Sequence, residues 1–260
     1  FLLLLSGLMF SCGNEKDNNS NRIAKGNVYF GGVFRMNEVE DFRNLYPLSI
    51  TEVTSLHIAA QVYEGLLKLS QKDLTILPSL AESWDINDSA TQFTFHLRKG
   101  VKFHDDPCFK DGKGREVTAN DFKYCLDKLC EADPGNQGFW VFKDRVLGAN
   151  EYYGSTLKKK PLVGGVSGIK VIDDYTIQID LHYPFAGFLN IVSTPFAWVF
   201  PKEAVDKYGM EMRIKCVGTG PFKVKEIKEG EAVILARNEN YWDVDEFGNQ
   251  PPYLDAIQVS

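Results

Sequence analysis

At 260 residues the chain is long enough to bury a large core and to hold one or two domains. A net charge of -6 argues against a general nucleic-acid binder, which is usually basic, while 44% hydrophobic and 25% charged residues are ordinary for a globular protein. The aromatic share of 13% fits either core packing or an aromatic-lined cleft, and composition does not choose between them.

Residues 1–10 are apolar apart from Ser6 and Gly7. The run is too short to span a bilayer but suits the apolar region of a secretory signal. It lacks a basic leader and an initiator Met, so residues 1–11 read as a partial signal peptide. Cys12 follows Ser11, and residues 13–21 are polar and Asn-rich. This arrangement looks like a bacterial lipobox, with lipid on Cys12 and residues 12–26 as a flexible tether. The alternative is an ordinary cleaved signal with an incidental Cys.

The first globular stretch is residues 28–36, a strand interrupted at Gly31-Gly32. Ser49-Ile50-Thr51-Glu52 has the spacing of a capping box, followed by Val53, Leu56, Ala60 and Tyr63 at helical spacing. His57 lies at the edge of that stripe, where a hydrogen-bonded structural role is the usual one. Residues 66–69 and 74–77 flank a polar turn and read as a hairpin. Residues 83–86 lead into Asn87-Asp88-Ser89, a turn, and then Phe93, Phe95 and Leu97 alternate with polar residues as in a half-buried strand. Val101 and Phe103 resume the alternation. Residues 105–114 are rich in Gly and Asp without apolar period and read as a surface loop. Thr118-Ala119-Asn120-Asp121 is a second capping box, opening a helix with Phe122, Cys125, Leu126 and Leu129 on one face.

Residues 135–154 are aromatic-rich and read as partly helical. Residues 169–172 and 176–181 form a hairpin around Asp173-Asp174. Pro201 opens a helix over 202–208. In Gly218-Thr219-Gly220-Pro221 the glycines permit backbone approaches that a Cβ would block; no Lys-Ser/Thr pair follows, so a phosphate loop is a poor fit. Strands over 232–236 and 253–259 complete the chain, with Asn238, Tyr241 and Trp242 between them.

Four stretches then stand out together: Tyr63-Glu64-Gly65-Leu66, the run from Pro78 to Trp84, the run from Phe93 to Asp105, and Thr118 to Asp121. With Gly218-Thr219-Gly220-Pro221-Phe222 and Asn238 to Trp242, their order resembles the extracytoplasmic solute-binding proteins of ABC importers, family 5, which bind peptides, nickel and related solutes. The resemblance runs from about residue 28 to the last. It implies an α/β fold of mixed sheets, periplasmic-binding-protein-like type II, cluster C. It also implies a larger lobe over 27–49 and 164–260 and a smaller projecting lobe over 50–163, with the chain stopping before a second large lobe. The residues implied at the cleft are Asn37, Glu38, Phe42, Trp198, Gly218 and Thr219. The family often has Leu-Asp-Pro where this chain has Leu45-Tyr46-Pro47, which puts that Asp's role in doubt.

The implied function is that of an envelope receptor, monomeric and held to the membrane by lipid on Cys12, which binds a peptide or other small solute and passes it to a membrane permease. Nickel, haem and sugars stay open as solutes. An exported hydrolase is the contrasting class, but neither Gly-x-Ser-x-Gly nor His-Glu-x-x-His occurs. No cofactor or metal is implied. His104, Cys108, Cys125 and Cys130 match no close-paired zinc spacing. Cys125 and Cys130 lie five apart on one helix and point in different directions, leaving free buried thiols or one bridge from Cys108. A chain with only one cleft wall is expected to bind solute weakly alone.

Overall fold

A computed structural model describes residues 22–260. The expectations for the signal segment and for Cys12 lie outside the described residues.

Asn87 sets the first sheet. Its Oδ1 accepts from the backbone N–H of Thr91 and of Gln92, at 2.9 and 3.0 Å, which closes the turn between strands Ala81–Ile86 and Gln92–Leu97. The two strands pair antiparallel with Trp84 opposite Phe95 and Ile86 opposite Phe93. Alternation in Gln92–Leu97 buries Phe93, Phe95 and Leu97, as the pattern demands. Trp84 is only half-buried, because the strand that carries it lies at the sheet edge.

Gln92–Leu97 pairs on its other side with Thr176–Asp180, which pairs in turn with Ile169–Asp173. The expected hairpin therefore forms, but it joins the sheet of residues 81–97. A boundary at 163/164 cuts through this sheet, because Ile177 and Ile179 need the apolar face that Phe93 and Phe95 offer. Helix Ala119–Leu129 packs on the hairpin strands and buries Phe122, Cys125, Leu126 and Leu129. Its capping box is present, with Asp121 Oδ2 accepting the Thr118 N–H at 2.9 Å. Arg115 reaches both Asp121 and Glu203, tying this cap to helix Lys202–Tyr208.

The second sheet runs Phe222–Lys228, Ala232–Arg237, Ala256–Val259 and Val33–Met36 in that order. Only the last pairing is parallel. Two short ribbons, Arg22–Ile23 with Tyr29–Phe30 and Leu67–Leu69 with Ile76–Pro78, stand apart. One contiguous apolar core runs through both larger sheets.

Three local expectations change. Ser49 caps no helix: it ends a 3-10 turn, Pro47–Ser49, and its hydroxyl donates to Gly135 O at 2.7 Å. Helix Val53–Ala59 starts after Glu52, whose carboxylate accepts from Ser55 Oγ and from Arg43 N. The buried face is consequently Thr54, Ser55, Ile58 and Ala59, and Val53 is exposed. Residues 105–114 are more than a surface loop, since Phe109 is buried and stacks on Phe103 at 6.1 Å. Val101 and Phe103 are buried as expected, but they form no regular strand: Val101 O accepts from Val117 N at 2.8 Å and Phe103 N donates to Arg115 O at 3.0 Å around an isolated bridge between Lys102 and Glu116.

Candidate functional site

The turn after helix Val53–Ala59 leads into residues 61–65, which are hydrogen-bonded on both sides. On one side Val199 N donates to Glu64 O at 2.9 Å, and Gly65 bridges Trp198. On the other, Gly220 N donates to Val62 O at 2.9 Å and Phe222 N to Gln61 O at 3.0 Å. This approach leaves no room for side chains on the glycines. A Cβ on Gly218 would lie 2.0 Å from Val62 O, and one on Gly220 would lie 2.6 Å from Gln61 O.

The same contact brings Glu64 to a set of neutral donors. Its Oε2 accepts from Thr219 Oγ1 at 2.7 Å and from Trp242 Nε1 at 2.9 Å, and its Oε1 accepts from Tyr241 OH at 2.8 Å. Glu64, Thr219 and Tyr241 are all buried. Burial raises the Glu64 carboxyl above the ordinary range, while the three donors pull it back.

His104 secures the glycine turn from a third direction. Its backbone N–H donates to Gly218 O at 2.8 Å, and its ring Nε2 lies 2.8 Å from Gly220 O. A carbonyl only accepts, so Nε2 carries the proton and Nδ1 is the bare nitrogen. That Nδ1 is buried without a partner among the described residues. Burial lowers the His104 pKa to about 4, so the ring is neutral at physiological pH. Asn238 Nδ2 donates to the same Gly220 oxygen at 3.0 Å.

The six residues expected at the cleft fall into two groups. Gly218 and Thr219 belong to the node around Glu64, where Thr219 is fully buried. Trp198 joins them by stacking on Tyr63, with ring centroids 6.2 Å apart and planes at 15°. Asn37, Glu38 and Phe42 instead follow strand Val33–Met36. Asn37 is exposed, and Phe42 is half-buried against the core. Glu38 Oε1 lies 2.7 Å from His57 Nδ1, and its backbone N–H donates to Ser260 O at 2.8 Å. His57 is thus hydrogen-bonded, as its place beside the helix stripe suggested.

Strand Val33–Met36 ends its sheet. Among the described residues it has one neighbour, Ala256–Val259, and its other edge is unpaired. Phe34 is 52% exposed on it, and Val39 just beyond is fully exposed. An exposed edge of this kind presents backbone donors and acceptors to any extended chain laid beside it.

Sequence reasoning placed Tyr241 and Trp242 between the last two strands and missed Glu64 as their acceptor. The signal was there in an acidic residue inside an otherwise apolar run, Tyr63 to Leu67. The cysteines at 108, 125, 130 and 216 are unbridged, and Cys125 contacts Phe200 backbone atoms. Among the described residues no three His, Cys, Asp or Glu side chains gather to hold a metal. No helix among them is long and apolar enough to cross a membrane.

Comparison with known proteins follows the same lines. Residues 75–260 match the model of the bacterial extracellular solute-binding proteins, family 5, middle region. The chain is 33% identical over 220 residues to heme-binding protein A of Haemophilus influenzae, covering 82% of this chain and 37% of that protein. It is 29% identical over 219 residues to the glutathione-binding protein GsiB of Escherichia coli, covering 84% of this chain and 36% of that one. Among solved structures it resembles the ABC transporter-associated periplasmic binding protein DppA from Helicobacter pylori, in complex with peptide STSA, with TM-score 0.72, 28% identity and coverage of 88% and 42%. The chain thus spans 36 to 42% of the length of these three relatives.

Proposed function

Because the chain belongs to the bacterial extracellular solute-binding proteins, family 5, we propose that it forms one wall of a receptor for short peptides. The observation that carries this reading is the unpaired edge of Val33–Met36, running directly into Asn37 and Glu38. An extended peptide has the same unsatisfied backbone groups and adds to such an edge as a further strand. Phe34 and Phe42 offer apolar contact for its side chains, and Asn37 and Glu38 offer polar contact for its backbone or amino terminus. Trp198, Gly218 and Thr219 hold the ground beneath, through Tyr63, Val62 and Glu64.

In this reading solute bridges two lobes and raises the population of the closed state, which a membrane permease accepts. The sheet of residues 81–97 and 169–180 belongs to the smaller lobe, and the sheet containing Val33–Met36 to the larger. The protein acts outside the cytoplasm as a monomer, carries lipid on Cys12, and catalyses no reaction. A second reading, a haem receptor, is favoured by the 33% identity to a protein named for haem binding. Calorimetry and mass spectrometry of co-purifying solute separate the two. Saturable binding of di- to pentapeptides supports the first, and tight binding of haem with no response to peptides overturns it.

A further inference from the structure

Away from the Val33–Met36 edge, an open depression of about 610 Å³ is lined by Glu82, Arg98, Lys99, Gly100, Val101 and Trp242. Its organising group is Arg98. The Nε–H of Arg98 donates to Ser79 O at 2.8 Å, and the guanidinium carbon lies 4.9 Å from the centroid of the Trp242 ring. The indole is itself pinned, since its Nε1–H is committed to Glu64 at 2.9 Å. The contact over the indole and one backbone bond therefore hold the guanidinium in place, and its two terminal nitrogens have no hydrogen-bond partner among the described residues. No ion pair among the described residues involves Arg98. Arg115, by contrast, is saturated by the carboxylates of Asp121 and Glu203.

We propose that this depression is a binding site for a small oxyanion, a carboxylate or a phosphate, gripped bidentately by Arg98. A guanidinium fork held in place loses little freedom on meeting a planar or tetrahedral oxyanion, and its paired N–H groups match the spacing of two oxygens. Lys99 adds positive charge beside it, with its ammonium 5.2 Å from the Tyr175 ring. That charge also acts on Asp173 and Glu116, so Arg98 supplies most of the grip. Glu82 lines the same depression and opposes an anion, which sets the affinity modest and gives the site a diagnostic. The site is independent of the peptide reading, because it uses none of the residues along Val33–Met36.

The test follows the indole N–H resonance of Trp242 by NMR, assigned with Trp242→Phe, while the protein is titrated with inorganic phosphate, with acetate, and with chloride at matched ionic strength. Phosphate or acetate is expected to shift the resonance saturably and chloride not. Arg98→Gln and Arg98→Lys should each weaken the response about tenfold or more, the second because an ammonium keeps the charge but loses the fork. Glu82→Gln, an exposed position, should tighten it. An equal response to chloride, an unchanged titration in Arg98→Gln, or an unchanged affinity in Glu82→Gln overturns the proposal. The Glu82 variant decides the matter if Arg98→Gln fails to fold.

Discussion

The hydroxyl of Thr219 donates to the carboxylate of Glu64 at 2.7 Å across 155 residues of chain. Tyr241 and Trp242 reach the same carboxylate from still farther along the sequence. Two separated motifs thus serve one buried acceptor in a third, and the value of Glu64 depends on what its partners can do without it. An amide in its place keeps an oxygen for Thr219 and Trp242 and turns its NH₂ to Tyr241, whose hydroxyl can accept as well as donate. Glu64→Gln is therefore expected to cost no more than about 1 kcal/mol, whereas Glu64→Leu strands three donors and should cost about 3 kcal/mol or more. Urea denaturation of both variants checks this. Equal losses would show that the donors find water and that the node is incidental.

Glycine substitutions separate close approach from mere flexibility. Ala at Gly218 or Gly220 pushes a methyl against the backbone oxygen of Val62 or Gln61, which cannot swing away. We expect each to lose about 3 kcal/mol or more, or to fail to accumulate. Gly154 lies in helix Ala149–Leu157 with nothing within 4 Å of its added Cβ. Gly154→Ala should stabilise by about 0.5–1 kcal/mol. Thermal melts of the three variants side by side give the comparison, and a tolerated Gly218→Ala would contradict the packing described.

Acid should weaken the fold through His104. Its folded pKa of about 4 lies below the ordinary 6.5, so between these values the unfolded chain binds the proton more readily than the folded one. Stability from this group is fully present above about pH 6.5 and falls as pH drops toward 4, by roughly 3 kcal/mol in all. His104→Gln, whose amide N–H can replace Nε2–H toward Gly220 O, should flatten that part of the profile. Denaturation midpoints at pH 7, 6 and 5 measure the slope. A His104→Gln profile as steep as the parent's would mean that other groups carry the acid sensitivity.

Much of the fold was legible because its signals are local. The Asn87 turn, the alternation at Phe93, Phe95 and Leu97, the cap at Thr118 and the hairpin around Asp173 each lie within a dozen residues. What escaped was set at long range. The hairpin at 169–180 was read correctly as a hairpin, yet its choice of Gln92–Leu97 as neighbour is a matter of which apolar face remains open. Ser49 carried a capping spacing, but Pro47 starts a tight turn and Ile50 is buried in extended conformation, so the helix begins later. Glu64 looked like one acidic residue in a motif, and only the fold shows three donors arriving at it. Of the residues expected at a cleft, Asn37, Glu38 and Phe42 follow an edge strand, and the motif that named Thr219 gave no hint that its hydroxyl is already engaged.

Amide hydrogen exchange at residues 33–38, with and without a mixture of short peptides, tests the proposed peptide wall most directly. Peptide binding should slow exchange along the open edge of Val33–Met36 and at Asn37, and Phe34→Ala should weaken both the protection and the calorimetric affinity. Peptide binding that leaves these amides exchanging at their unliganded rate would place the solute elsewhere and contradict the account.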